Sequence, residues 1–294
     1  MEQFLGNFLP GIMRGCVYTV IALGFITIYR TTSVLNFAQG ELFLLGAYGV
    51  YFMIAQAGLP SYLGIPFAFM MLGLLGMIIE RVTLRPLVGQ PILGIILMTL
   101  GLSVFIRGVV VLLWSDIIIP VPTVFGEGSA RLFGITLPVQ YMWFSGVSVC
   151  IAIGLYFYFT HSGTGLQMTA VADNTQLAQS CGVSVNKVTS VAWIIACILT
   201  GAGGYMLCTI TGVYPLMGEL GLRSLAVVLA GGMESIVGAI VMGPVIGAVE
   251  YVLSGYLDSY VGGGLRDVVA YGVLILFLVF RPQGLFGWKI IERV

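Results

Sequence analysis

From Leu42 to Ile79 the chain reads LFLLGAYGVYFMIAQAGLPSYLGIPFAFMMLGLLGMII, and no Asp, Glu, Lys or Arg interrupts it. A helix that crosses a bilayer needs about 20 predominantly apolar residues, so this run holds two, separated near Gly58, Pro60 and Ser61. Charge-free stretches recur from Pro86 to Ile106, Leu132 to Ala172 and Val188 to Gly218. Of 294 residues, 59% are hydrophobic and 8% charged, against about 25% charged in soluble domains. A soluble globular fold is excluded. The expected class is an all-α polytopic membrane bundle occupying 1–294 as one domain, embedded in a lipid bilayer.

Turn signals place spans near Ile12 to Tyr29, Glu41 to Ala57, Ser61 to Ile79, Ile92 to Trp114, Tyr141 to Thr160 and Lys187 to Ile210. From Leu222 to Tyr256 the segment Gly231-Gly232-Met233-Glu234-Ser235 interrupts the apolar run, which predicts a short or re-entrant helix followed by a full one. A last span, Gly264 to Phe280, stops at Arg281-Pro282, giving 8–9 membrane segments. No small-residue cleavage pattern follows the first apolar run, so that span is expected to remain in the mature protein. With the N-terminus outside, Arg30, Arg81, Arg85, Lys187, Arg281, Lys289 and Arg293 face the cytoplasm. Arg131, Arg223 and Arg266 face outward, and the excess of cations inside favours this orientation. The loop 115–140, rich in Pro and Gly, is then extracytoplasmic and is expected to form a short strand pair or an ordered lid.

Twelve basic and twelve acidic residues cancel, so there is no polybasic surface for nucleic acid. Neither lysine, Lys187 nor Lys289, lies in a Gly-Lys-Ser/Thr loop, which excludes a P-loop for ATP in this chain. One histidine, His161, and five cysteines without a Cys-x-x-Cys pair point away from metal and redox roles. A catalytic site is therefore not expected, and neither is a cofactor.

The unusual feature is polar chemistry inside apolar surroundings. Asn36, Gln39 and Glu41 stand together in Leu35-Asn36-Phe37-Ala38-Gln39-Gly40-Glu41, immediately before the run quoted first. They fit either a broken helix whose start lines a translocation path or an interfacial cap. Arg107 and Glu250, each alone in an apolar segment, are candidates for intramembrane ion pairs. Arg14 is expected to snorkel outward. Gly201, Gly203 and Gly204, and later Gly238, Gly243 and Gly247, are spaced to let helix backbones approach closely.

The segment 163–183 is polar yet helical in pattern. Ala170, Leu177, Ala178 and Cys181 recur at helical spacing, so a docking helix from Thr169 to Cys181, ended by Gly182 and with Asp173 near its first turn, is expected on the cytoplasmic side.

At these residues the chain resembles the LivH-type permease subunits of bacterial branched-chain amino acid ABC importers. The resemblance covers nearly the whole length. It is carried by Leu35 to Glu41, Arg85-Pro86, Thr99-Leu100-Gly101-Leu102, Ala170 to Val183, Leu229-Ala230-Gly231-Gly232-Met233, Gly238-Ala239 and Arg281-Pro282-Gln283-Gly284-Leu285-Phe286-Gly287. It implies a multi-pass subunit of the bacterial inner membrane that pairs with a LivM-like second permease, two cytoplasmic ATPases that bind ATP and Mg, and a periplasmic amino-acid-binding protein. It also implies that 169–182 couples to an ATPase, and that Asn36, Gln39 and Glu41 border the route, with Glu234 near the matching break in the second half. The chain departs from the family at Thr169, where a basic residue is usual, and at Glu234, where glycine is common. Two alternatives stay open: a permease for urea or short amides, and an ion-coupled secondary transporter.

Overall fold

A computed structural model describes residues 2–87, 90–126, 128–132, 134–261 and 264–287. Lys289 and Arg293, counted above as cytoplasmic cations, lie outside them. The elements in order are α1 (Glu2–Thr32), α2 (Gln39–Tyr51), α3 (Ser61–Ile79), α4 (Ile92–Trp114), β1 (Ser129–Leu132), β2 (Ile135–Pro138), α5 (Val139–His161), α6 (Gly163–Asp173), α7 (Thr175–Ser180), α8 (Val185–Thr211), α9 (Gly218–Gly231), α10 (Ile236–Val261) and α11 (Leu265–Phe280). Wider π-type turns extend α2 over Phe52–Gln56 and α3 over Glu80–Leu84. The protein is an all-α polytopic membrane protein. Among the described residues, six helices are long and apolar enough to cross a bilayer, and α2, α9 and α11 are shorter.

The starts of α3 and α4 coincide with the turn signals for a local reason. Pro60 and Pro91 hold extended backbone at the two N-caps, where a proline stops a helix from running further back.

The described residues fall into two compact units, one drawn from Leu23–Val124 and Ile153–Leu222, the other from Met1–Ala22, Phe125–Ala152 and Arg223–Val294. In the first unit α2 is the centre, with Leu42, Phe43, Leu44, Ala47 and Tyr48 fully buried. Glycines on both sides let α8 reach it: a Cβ on Gly46 would collide with the Gly201 backbone, and one on Gly204 with the Phe43 carbonyl. From α3, Leu72 packs over Gly201, and Gly76 leaves room for Cys197. Along its most apolar stretch α8 has 78% of its residues buried, against 17% for α4. Thus α8 belongs to the core, whereas α4 lies at the surface and turns inward only a strip containing Thr99, Ile106 and Val110.

In the second unit the early turns of α1 cross α10 at glycines. A Cβ on Gly11 would fall 2.7 Å from the Gly247 carbonyl oxygen, and one on Gly15 would collide with that of Gly243. The strand pair within loop 115–140 is antiparallel, with Ser129 opposite Pro138 and Leu132 opposite Ile135. Close by, Phe125 stacks on Trp143 at 5.4 Å.

The segment 163–183 is not one helix. Asn174 takes extended backbone (φ −158°, ψ 103°), closes α6 and caps α7 by accepting the Leu177 N–H on Oδ1 at 2.9 Å. An asparagine competes in this way with the helix it interrupts. Asp173 is therefore the last residue of α6 and not near a first turn. The break also divides the expected face: Ala178 is buried, Ala170 half-buried, and Leu177 and Cys181 exposed. Gly182 does end α7 with left-handed backbone (φ +85°). The Gly182 N–H bonds to the Gln179 carbonyl and the Val183 N–H to that of Ala178, a Schellman closure.

The glycine contacts give a direct test. Gly204→Ala should cost about 1–3 kcal/mol or more, since its Cβ meets backbone that has nowhere to move. Gly101→Ala, where a Cβ meets nothing within 4 Å, should cost nothing, as judged by thermal unfolding of the two purified variants.

Candidate functional site

The polar start of α2 lies inside the first unit. Asn36, Gln39 and Glu41 are all buried, at 2%, 0% and 1% exposure. Gln39 donates to Thr200 Oγ1 of α8, and a Cβ on Gly24 of α1 would press against both residues. Gly24 stands eight residues before the end of α1, roughly 12 Å along the axis. The chain over 33–38 therefore turns back into the bundle before α2 begins. Asn36 shapes the return: its Oδ1 accepts the Ala38 N–H at 3.0 Å, and its Nδ2 donates to Gln39 Oε1 at 3.1 Å.

Glu41 meets α4. Arg107 donates to Glu41 Oε1 from Nε at 3.0 Å and from Nη2 at 2.6 Å, and Ser103 Oγ adds a third donor at 3.3 Å. Glu41 Oε2 has no hydrogen-bond partner, and both oxygens press on Gly218, where a Cβ would lie 2.9 Å from each. The Arg107 side chain is 32% exposed. It sits seven residues, roughly 10 Å, from the end of α4, within the depth of a hydrocarbon layer. An unpaired arginine at the centre of a membrane helix costs about 2.5–3.5 kcal/mol on insertion scales, so the carboxylate offsets much of the cost of placing this guanidinium here.

Glu250 is paired separately, in the second unit. Arg223 of α9 donates to Glu250 Oε1 at 3.2 Å, and Tyr18 OH donates to the same oxygen at 3.3 Å. Arg14 does not snorkel outward. It is 6% exposed, donates from Nη1 to Tyr251 OH at 2.8 Å, and lies over the rings of Tyr18 and Tyr251 at 5.9 and 5.7 Å. A phenol and two aromatic faces replace water around its charge.

Glu234 is half-buried in the turn between α9 and α10. It stands apart from Glu250 in sequence and makes none of the hydrogen bonds that hold the turn. Ser235 Oγ accepts the Gly238 N–H at 3.0 Å and so caps α10.

The family model described as branched-chain amino acid transport system / permease component matches residues 7–278. The chain belongs to this family. The chain is 27% identical to the high-affinity branched-chain amino acid transport system permease protein BraD of Pseudomonas aeruginosa, over 99% of this chain and 98% of that protein. Identity is 30% to the probable branched-chain amino acid transport permease protein LivH of Methanocaldococcus jannaschii, over 96% and 93%. Among solved structures, PsaBC from Streptococcus pneumoniae in complex with Fab is similar in fold alone, with TM-score 0.50 and 13% identity over 96% of this chain and 93% of that one.

Two stretches that carry the resemblance to these permeases meet in space. After α11 the backbone of Leu285 donates to the Ala230 carbonyl at 2.8 Å and that of Phe286 to Gly231 at 3.0 Å. The last carbonyls of α9, which no helix turn can satisfy, are thereby capped by a strap some fifty residues downstream. The fit requires glycine on both sides. Gly284 has φ +77° and a Cβ there would lie 2.6 Å from Gly232 N, while Gly232 has φ +107° and faces Gly287. A third stretch, Arg85-Pro86, belongs to a closed polar triad. Arg85 donates to Glu80 Oε1 at 2.9 Å and to Ser190 Oγ at 2.8 Å, and Ser190 donates to Glu80 Oε2 at 2.8 Å.

Replacing Gly284 with valine should release the strap. Amide exchange at Leu285 and Phe286 should rise at least tenfold while that of α8 stays unchanged, and unchanged protection at both amides would contradict the capping role.

Proposed function

We propose that the chain is the membrane permease subunit of an ATP-driven importer that carries branched-chain (hydrophobic) amino acids across the bacterial inner membrane. The observation that carries the reading is the family match from residue 7 to 278, with relatives named as branched-chain amino acid permeases over nearly their full lengths. The whole of 1–294 acts as one permease domain. Its companions are a LivM-like second permease, two cytoplasmic ATPases and a periplasmic binding protein. ATP and Mg are bound by the ATPases, so hydrolysis takes place outside this chain.

In this reading α2, α9 and α11 join the six long helices as membrane segments, making nine. At 14 residues, α9 is roughly 21 Å long, too short to cross about 30 Å of hydrocarbon unaided. The turn after it is then protein-covered backbone within or at the edge of the layer. The loop 115–140 faces outward and receives the binding protein, and its strand pair gives that contact a fixed shape. The start of α2, with Asn36, Gln39 and Glu41, borders the route, and Glu234 lies near the second break.

Coupling runs through α6 and α7. Leu177 is 66% exposed and is the apolar anchor for an ATPase cleft, whereas Ala178 holds α7 against its own unit. Thr169, Ala170 and Cys181 flank that contact. A push on α7 reaches α8 directly through the short link 181–184. From α8 it reaches the end of α3 through Ser190, Glu80 and Arg85, because a hydrogen-bonded triad moves as a unit.

The test is uptake of radiolabelled leucine by vesicles holding the assembled importer. Uptake should require internal ATP and survive collapse of ion gradients, and gradient-dependent uptake without ATP would favour a secondary transporter. In the same vesicles Leu177→Asp should lower uptake per ATP hydrolysed at least fivefold, and an unchanged ratio would remove α7 from the coupling path.

A further inference from the structure

Arg107 is not used up by its ion pair. Both of its bonds to Glu41 converge on one oxygen, from Nε and Nη2. Its Nη1 makes no hydrogen bond among the described residues, and a third of the side chain is exposed. Glu41 mirrors this. Its Oε1 takes three donors, while its buried Oε2 has none. The ion pair thus leaves one partly exposed cationic donor edge on Arg107 and one buried acceptor on Glu41 without a hydrogen bond.

The surroundings of Arg107 are also unlike those of the buried pair in the other unit, where Arg223 is 12% exposed beside Glu250. On α4, Leu100, Val104 and Val111 stand one or two turns away from Arg107 on the same face, at 44%, 73% and 40% exposure. Gly101 and Gly108 leave open space beside them, for a Cβ on either meets nothing within 4 Å. The free guanidinium edge therefore adjoins an aliphatic, uncrowded strip.

We propose that Glu41 and Arg107 form a transient binding site for a zwitterionic α-amino acid with an aliphatic side chain. The ligand carboxylate is taken by Arg107, its ammonium replaces the guanidinium at the Glu41 carboxylate, and its side chain lies along Leu100, Val104 and Val111. This rests on the importer reading above and adds to it a station inside the membrane subunit. A ligand with both charges inserts into the ion pair without changing the net charge of the layer, whereas a lone anion or cation would leave one partner uncompensated. The occupied site would also draw Arg107 away from Glu41 Oε1, which frees the start of α2 to shift.

The experiment measures equilibrium binding of leucine to the purified membrane complex without the binding protein, so that selectivity of that protein does not enter. Wild type should bind leucine at least tenfold more tightly than leucinamide or isoamylamine, which lack the carboxylate, and than 4-methylpentanoate, which lacks the ammonium. Equal binding of leucine and these analogues, or no leucine binding at all, overturns the site. Arg107→Gln should weaken leucine binding at least tenfold. The double variant E41Q/R107Q keeps a neutral amide pair across α2 and α4, and should assemble and show the same loss. Leucine binding by E41Q/R107Q equal to wild type overturns the proposal. The vesicle uptake measurement judges the importer reading independently: uptake that follows ATP with no leucine binding here rejects this site and leaves the permease function standing.

Discussion

Inside a bilayer no water is available to a charged or polar group, and the rest of this structure depends on how each such group finds a protein partner. The clearest case is Glu41. It stands at the beginning of a short helix that starts within the bundle, where three donors from α4 converge on one of its oxygens. The pairing allows α2 to begin deep in the unit. That position in turn allows Gln39 to reach Thr200, and brings Gly46 and Phe43 against the glycines of α8. Without a partner for the carboxylate, the same sequence would have to place this turn at the membrane surface.

The same constraint explains the second break. When α9 stops at Gly231 its final carbonyls must be satisfied, and backbone N–H groups from the far end of the chain satisfy them. The strap needs Gly232 and Gly284 because the two backbones meet where side chains would collide. In the other polar sites the partner is a side chain: Arg223 and Tyr18 for Glu250, Tyr251 for Arg14, and Glu80 with Ser190 for Arg85. Short, interrupted helices are tolerated in a permease only where such closures exist, and they are also the places where a route can be lined with polar groups.

The long elements were legible because their signals are local. Pro60 and Pro91 mark the starts of α3 and α4, charge-free runs mark the spans, and Gly231-Gly232 marks the break before α10. The polar residues at the start of α2 could be singled out for the same reason, as amides and an acid in an apolar context. Their partners could not. Glu41 meets Arg107 sixty-six positions away, and Arg14 meets Tyr251 across 237, so nothing near Arg14 signals that an acceptor awaits it. Asn174 could have been recognised as a cap for a second short helix, since asparagine favours that role over a helix interior. The pattern of small residues around it was the stronger signal and pointed to a single helix. The strap was present in the sequence as Arg281 to Gly287, a motif without an assigned task. Only the position of α9 reveals what it closes.

The central claim, that Glu41 and Arg107 hold the start of α2 by satisfying each other, is tested most directly by a double-mutant cycle on stability. Unfolding free energies would be compared for wild type, Glu41→Gln, Arg107→Gln and the double variant in the same lipid or detergent. Removing one member of a pair leaves the other uncompensated, so the single losses should sum to more than the loss in the double variant, with a coupling of about 1–3 kcal/mol given the partial exposure of Arg107. Additive losses, with no coupling beyond about 0.5 kcal/mol, would show that the two residues act independently and would contradict the account.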